Sequence, residues 1–357
     1  MKERIYVCHT YYHVYVACLK ELALPQEKQG RATLVLSTMS NDFGNLKARA
    51  AACPLFEDVV LFDEKEDTFF PELRKYHTNK GNLFLNMLSR MKYTKMLGRL
   101  EKSYVPVDFR QYRDIYVFCD SDPIGYYLNY ERIPYHALED GLNCIQYYDT
   151  ARYDNRGHFG LKAWMAARNL IFIQNGYSKY CLDMEINDKS VVPYPCEKYI
   201  EAPRSKLVER LTKDDRDILI RLFIEDPDEL LEKLVCGAKD KILVLSEPLC
   251  DLTVRKQIFT DIIEEYGTID GRQGQILIKP HPRDVLDYAK EFAGHIVLSG
   301  MFPMEILNFI PGLQFRRVVS VFTVPNGITC ADEVLFLGED FMDKYEAPEL
   351  HRQNEMI

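Results

Sequence analysis

The sequence predicts an α/β protein built from two doubly wound halves. Three observations carry that prediction. Short apolar runs alternate with helical stretches in both halves, the pattern of parallel sheets covered by helices on both faces. Several of these runs end abruptly in polar or charged residues, as strands do at the ligand-binding edge of an open sheet. A chain of 357 residues, 47% of them hydrophobic, also carries enough apolar material for two cores of ordinary size.

In the first half, the strands are expected at residues 4–8, 33–37, 59–62, 115–119, 135–138 and 170–174, with 191–192 as a further candidate. Helical patterns lie between them at 12–22, 43–51, 82–102, 123–130 and 161–168. A polar, mostly helical stretch follows. Strands then resume at 241–245, 275–278, 296–298, 318–322 and 334–337, alternating with helices at 253–266, 285–292 and 303–309. This gives an N-terminal domain over 1–200, a helical connection over 201–239 and a C-terminal domain over 240–357. The active site is expected in the cleft between the domains, with the carboxyl ends of both sheets turned toward it.

Composition narrows the function. The net charge of −9 disfavours bulk nucleic-acid binding. Ten cysteines occur without a C-x-x-C pair, which argues against a zinc site or disulfide framework and for a reducing cytoplasm. There is no run of eighteen apolar residues of the kind a membrane span needs. The opening Met1-Lys2-Glu3-Arg4-Ile5-Tyr6-Val7 reads as a strand rather than a signal peptide. Neither half holds G-x-G-x-x-G or G-x-x-x-x-G-K-[ST], which disfavours a dinucleotide enzyme or a P-loop NTPase. Residues 83–102 read as a basic amphipathic helix. It either packs its apolar face on the core, leaving a solvated basic face, or makes peripheral contact with an anionic membrane.

The most informative segment is Lys279-Pro280-His281-Pro282-Arg283, directly after the apolar run 275–278. Each proline fixes its own φ and restricts the residue before it. The imidazole is therefore held rigidly at a strand's carboxyl end between two cations, which suits an anionic ligand such as a phosphate. A second strand end, Glu139-Asp140-Gly141, puts two carboxylates before a flexible turn. The pleat sends them to opposite sides, so one of them is available as a general base. Paired across a cleft, Asp140 takes a proton from an acceptor hydroxyl while His281 donates to, or neutralises, a leaving phosphate. Lys279 and Arg283 stabilise its growing charge.

Further candidates sit at other strand ends. Ser246-Glu247-Pro248 offers Glu247, and Asp251 beyond it, as a second base. Ser299 and Gly300 precede a helix opened by Pro303, where anions are favoured. Glu305 there is placed to accept from ribose hydroxyls or a base amine. Ser320 and Thr323 offer hydroxyls to a phosphate. His9-Thr10-Tyr11-Tyr12-His13 follows the first strand and is expected to line the cleft or pack rather than bind zinc. Asp120-Ser121-Asp122-Pro123 looks like a metal-binding D-x-D. Asp122 before Pro123 reads more simply as a helix cap, so no metal site is expected.

Three of these motifs together resemble the bacterial sialyltransferases, in particular glycosyltransferase family 52, the lipooligosaccharide and capsule sialyltransferase group. They are Val7-Cys8-His9-Thr10, Glu139-Asp140-Gly141 and the His-Pro motif at His281. The resemblance runs from about residue 4 to about 340. It implies a GT-B fold, a CMP-sialic acid donor, no required metal or other cofactor, and inverting transfer to a terminal galactose of a cell-surface glycan, and it is compatible with a lipid-linked acceptor and a homodimer. It makes His281 the general acid, with the base at Asp140 or near Glu247 to Asp251. Glu305 and the Ser320/Thr323 pair fall where the family places further nucleotide contacts, and Glu139, Gly141 and Pro282, within the acidic-turn and His-Pro motifs, are further substrate-binding candidates. The chain departs from the family's paired-hydroxyl motif, since Ser320 and Thr323 are not adjacent. The rival readings are an HP-motif transferase using another nucleotide sugar or a CDP-polyol, and a non-catalytic glycan- or nucleotide-binding protein.

Overall fold

A computed structural model describes residues 1–118, 120–141, 144–145, 157–193, 196–235 and 240–351. The chain divides into two compact units, Met1–Asp215 and Arg216–Ile357. The division falls within the stretch that the sequence assigns to a helical connection.

The first unit is organised by strands whose side chains have no solvent face. The second half of β1 (Lys2–Cys8), Ile5–Cys8, and most of β2 (Ala32–Ser37) are apolar and buried, as strands covered on both faces must be. With β3 (Phe56–Phe62), β4 (Tyr112–Val117), β5 (Tyr135–Leu138), β6 (Cys181–Ile186) and β7 (Tyr199–Glu201) they form a seven-stranded sheet in the order β3-β2-β1-β4-β5-β6-β7. Every pairing is parallel. The order reverses direction between β1 and β4, so the carboxyl ends of these two strands flank the switch point where ligands bind in such sheets. Helices α1 (Tyr11–Leu22), α2 (Leu46–Ala52), α3 (Leu83–Glu101) and α4 (Pro123–Glu131) cover the sheet. α3 lies close on α4 because Gly98 has no side chain: a Cβ there would stand 2.5 Å from the Tyr126 carbonyl oxygen.

Two strand predictions fail here. Residues 170–174 are buried but not paired in the sheet. Side chains satisfy their backbone instead. The Phe172 N–H donates to Thr94 Oγ1 at 3.3 Å, its carbonyl accepts from Arg90 at 3.1 Å, and Ser178 Oγ meets both polar groups of Ile173. An apolar run signals burial, and only hydrogen-bond partners decide whether it is a strand. Residues 189–191 form a 3₁₀ turn, and the strands absent from the prediction are β6 and β7. β6 (Cys-Leu-Asp-Met-Glu-Ile) is half polar and so lacks the continuous apolar signal.

After α5 (Phe159–Ala166) and α6 (Arg204–Val208) in the first unit, α7 (Lys213–Phe223) runs through the division and α8 (Pro227–Val235) follows it. The second unit holds five parallel strands in the order β12-β11-β8-β13-β14. They are β8 (Lys241–Leu245), β11 (Gln275–Lys279), β12 (Ile296–Val297), β13 (Arg317–Ser320) and β14 (Val334–Phe336), with a small β9 (Thr268–Ile269)/β10 (Arg272–Gln273) hairpin aside. Its switch point lies between β8 and β13. α9 (Leu252–Tyr266) supplies Ile258, Phe259 and Ile262 to the core beneath the sheet. The helix expected over 285–292 shrinks to α10 (Tyr288–Glu291), and that expected over 303–309 is a 3₁₀ helix, Met304–Phe309, with Pro303 as its cap.

Candidate active site

In the second unit, β11 delivers Lys279 and then His281 at its carboxyl end. The His281 N–H donates to Ser246 Oγ at 3.2 Å, tying the motif to the end of neighbouring β8. The Arg283 N–H donates to His281 Nδ1 at 3.1 Å. An Nδ1 that accepts must be unprotonated, so the neutral ring carries its proton on Nε2. Burial, then the Arg283 and Lys279 charges, lower the His281 pKa below 6.5. Asp284 opposes the shift without cancelling it, so the His281 ring is a neutral donor.

Beneath it sits a residue that sequence reasoning missed. Asp284 is ion-paired with Arg255 at 2.6 Å and accepts from Ser246 Oγ at 3.2 Å and the Tyr288 hydroxyl at 2.8 Å. This buried hub fixes Ser246, and through it the His281 backbone. The only signal for it was an acidic residue immediately after Arg283. Gly300 closes the other side: a Cβ there would lie 3.2 Å from the Pro280 carbonyl oxygen. Ser299 Oγ accepts from the Met301 N–H at 3.1 Å in the same turn. Because the following helix is a short 3₁₀ turn, it adds no helix-dipole site for anions.

Lys279 differs from the solvated cation the motif suggests. It is buried, its Nζ lies 4.3 Å above the Phe302 ring centroid, and it donates to the Pro280 carbonyl at 3.4 Å. Burial pulls its pKa down to about 7 against the opposing charge of Glu305. The Glu305 carboxyl is raised by burial. It packs on Gly327, where a Cβ would come within 2.8 Å of Oε1. Arg283 and Pro282 are exposed beside His281.

At the switch point between β8 and β13, Glu247 is buried, and its Oε1 accepts from the Phe322 N–H at 2.9 Å and from the Thr323 N–H. Burial raises its pKa, opposed by these hydrogen bonds. Glu247 thus holds the turn that carries Thr323. Asp251, its companion candidate, caps α9, accepting from the Thr253 and Val254 N–H groups at 2.8 and 3.0 Å. That capping role takes it out of the set of candidate bases. Ser320 turns inward, fully buried with its hydroxyl unpartnered among the described residues. Thr323, the less buried of the pair, has its side chain engaged by Glu247 as well.

In the first unit, the carboxyl ends of β1, β4 and β5 gather a histidine–carboxylate network. Thr10 caps α1 by accepting from the His13 N–H at 3.2 Å. His13 Nδ1 accepts from the His9 N–H at 3.0 Å. Its Nε2–H is left to donate to Asp140 Oδ1, and its ring stacks on Phe118 at 4.3 Å. Burial lowers the His13 pKa, only partly opposed by Asp140, so the ring acts as a neutral donor. Glu139 turns the other way: its carboxylate accepts from the Asn187 N–H at 2.6 Å and Nδ2 at 2.9 Å. Of the two acidic residues, Asp140 is the more exposed, and at Gly141 a Cβ would meet nothing within 4 Å.

His9 joins a partner that no local pattern pointed to. Its Nε2 contacts Glu64 at 2.7 Å and Asp122 at 3.4 Å. Glu64 also accepts from Ser37 Oγ at 2.7 Å and the Ile124 N–H at 2.8 Å. Burial works against the charged ring, but Glu64, Asp122 and Asp140 outweigh it and hold the His9 pKa up at about 9. His9 Nδ1 is buried with no hydrogen-bond partner among the described residues. Of the D-x-D pair, Asp120 accepts from the Tyr135 hydroxyl at 3.0 Å and the Asn175 N–H at 3.1 Å. Asp122 sits at the cap position of α4 without a side-chain cap bond and pairs with His9 instead. The two carboxylates are thus committed to different structural partners.

Two parallel-sheet units with polar residues gathered at strand carboxyl ends define the GT-B class of glycosyltransferases. The family model of glycosyltransferase family 52 matches residues 62–324, and the chain belongs to that family. Among solved structures it is similar to the α/β-galactoside α-2,3-sialyltransferase of Photobacterium phosphoreum, with a TM-score of 0.53 and 11% identity over 93% of this chain and 90% of that one. It is also similar to the GT-B domain of the Photobacterium damselae sialyltransferase (0.53, 11%, covering 94% and 89%). A third is a Photobacterium sp. JT-ISH-224 2,6-sialyltransferase in complex with CMP and lactose (0.55, 8%, covering 99% and 77%). A curated relative, an uncharacterized protein of Haemophilus influenzae, is 28% identical over 104 residues, 29% of each chain. The alignment thus spans under a third of that relative's length.

Proposed function

We propose that this glycosyltransferase moves sialic acid from CMP-sialic acid to a terminal sugar, galactose, of a cell-surface glycan with inversion. In the proposed step, the acceptor hydroxyl oxygen bonds to the anomeric carbon as the bond from that carbon to the CMP phosphate oxygen breaks. The hydroxyl proton passes to Asp140, and CMP leaves with its new charge met by His281 Nε2–H, Lys279 and Arg283. The transition state is oxocarbenium-like.

The observation that carries this reading is the His281 hydrogen-bond pattern. With Nδ1 held by the Arg283 N–H, a proton-bearing Nε2 and two nearby cations await an anion. One phosphate suits this set without a divalent ion, and both D-x-D carboxylates are already engaged.

The test is incubation with CMP-sialic acid and lactose, with product read by mass spectrometry. Sialyl-lactose from the parent, its loss in a folded His281→Ala variant and persistence in EDTA support the reading. Stabilisation by CDP equal to that by CMP, without sialyl transfer, points to the CDP-polyol alternative. No turnover of any donor points to a binding protein.

A further inference from the structure

α3 and α5 do not bury all their apolar residues. Met87 and Met91 of α3 pack against a small buried cluster made of Met165 and Ala166 of α5 with Ile171 and Ile173. On the outer sides of this contact, large apolar side chains remain in solvent. Phe84 is 69% exposed, Leu83 50%, Leu88 37%, Leu161 48% and Trp164 50%. Scattered apolar residues on a surface need no explanation, but adjoining helices presenting them together do.

The spacing orders them. Residues 84, 88, 92, 95 and 99 fall on one side of α3, and all five are exposed. This stripe begins with Phe84 and Leu88 and continues as Lys92, Lys95 and Arg99. Leu161 and Trp164 on α5, with Arg168 just beyond its carboxyl end, repeat the theme, the guanidinium lying 3.9 Å from the Trp164 ring centroid.

The charge is one-sided. Seven Lys and Arg residues and no acidic residue lie between Glu72 and Glu101, and none of residues 157–182 is acidic, in a chain of net charge −9. The core-facing reading of this helix therefore accounts for Tyr93 and Leu97, which are buried, but not for its first turns.

We propose that this face of α3 and α5 docks on the surface of an anionic lipid bilayer. Phe84, Leu88 and Trp164 enter the headgroup boundary, while Lys92, Lys95, Arg99 and Arg168 meet lipid phosphates. A second copy of the chain is a poorer occupant. A two-fold interface sets a patch against itself, which would bring like cations together.

The chain provides its own probe, because Trp164 is the single tryptophan. The full-length protein is mixed with vesicles of phosphatidylcholine alone or with added phosphatidylglycerol, then read by co-sedimentation and tryptophan emission. The expected result is binding only to the phosphatidylglycerol vesicles, released by high salt, with a blue shift of Trp164. The variant F84S/L88S, altered at exposed positions, should melt like the parent yet fail to bind. Removing three cations in K92Q/K95Q/R99Q should weaken partition by roughly 100-fold. Three outcomes overturn the proposal: no binding to phosphatidylglycerol vesicles, binding without a change in Trp164 emission, or a parent dimer that F84S/L88S converts to monomer.

Discussion

The backbone N–H of Arg283 donates to Nδ1 of His281 at 3.1 Å, and this contact fixes what the histidine can do. A ring that accepts at Nδ1 cannot carry a proton there, so its charged form loses this hydrogen bond. Together with burial and the nearby Arg283 and Lys279 charges, that keeps the free imidazole neutral. Bound phosphate reverses the balance and favours the imidazolium. CMP binding should therefore take up protons, and affinity should rise as pH falls from the bound-state pKa to the free-state value, which lies below 6.5. Lys279, whose pKa is about 7, adds an effect of the same sign. Calorimetry in buffers of different ionisation enthalpy measures the uptake. His281→Gln should reduce it, and Lys279→Met should remove the remainder. Proton release on CMP binding would contradict the assignment.

His281→Ala should lower kcat by about 10²–10⁴-fold, the usual range for a lost proton donor, with thermal stability near the parent's because the ring is only half-buried. The measurement is steady-state kinetics with CMP-sialic acid and lactose. A kcat within a few-fold of the parent would remove His281 from the chemistry.

His13 is a positioning residue for Asp140. It donates Nε2–H to the carboxylate, while the His9 backbone and the Phe118 ring fix its own orientation. Asp140→Asn should cost about 10²–10⁴-fold in kcat. His13→Ala should cost roughly tenfold or more in kcat, with donor KM little changed and the acidic limb of the pH profile displaced to higher pH, because the Asp140 carboxylate loses a donor. His13→Gln, which keeps a side-chain donor, should recover part of the loss. Equal losses in the Ala and Gln variants, with no shift in the pH profile, would show that His13 only supports packing.

Much of this arrangement was legible in the sequence because short patterns determine it. Lys279 to Arg283 announced a constrained histidine at a strand end through its prolines, and Glu139-Asp140-Gly141 announced a turn whose two carboxylates face different ways. Partnerships over long separations were not legible. Nothing local links His9 to Glu64 across 55 positions, or Ser246 to Asp284 across 38. The same limit explains residues 170–174, whose apolar run shows burial but not that Thr94, Arg90 and Ser178 take the place of a neighbouring strand. Glu247 was noticed for its position, but its engagement was not legible, since the backbone donors that meet it lie 75 and 76 residues away.

The His9–Glu64 contact makes stability depend on pH. A histidine pKa raised from 6.5 to about 9 contributes fully below pH 6.5 and is lost as pH rises through about 9. The stake is on the order of 3 kcal/mol. Buried Glu101, raised by burial and by Glu64 from 4.5 to about 8, adds a decline of the same sign between those values. Lys279, lowered from 10.5 to about 7, contributes the opposite slope above pH 7, so the test compares each variant with the parent. In chemical denaturation across pH 5–10 (about one unit per step), the stability that Glu64→Gln loses relative to the parent should be largest below pH 6.5 and shrink as pH rises through about 9. Glu101→Gln should lack the parent's decline between pH 4.5 and about 8. A Glu64→Gln deficit that does not shrink between pH 7 and about 9 would rule out a charged His9.

Glu247 separates the two candidate bases. As an anchor of the Phe322–Thr323 turn, it needs an acceptor oxygen and no negative charge. Glu247→Gln keeps that oxygen, so it should preserve most of the turnover and stability. Glu247→Ala leaves two backbone N–H groups without their partner, at a cost of about 1–3 kcal/mol each if they stay buried, and should lower the melting temperature and weaken CMP binding through Thr323. Thermal melts and donor KM measure both effects. A proton-accepting Glu247 would behave differently: Glu247→Gln would then fold like the parent yet lose turnover as completely as Asp140→Asn is expected to. In that event the base is Glu247, and Asp140 with its His13 partner becomes part of the acceptor-binding surface.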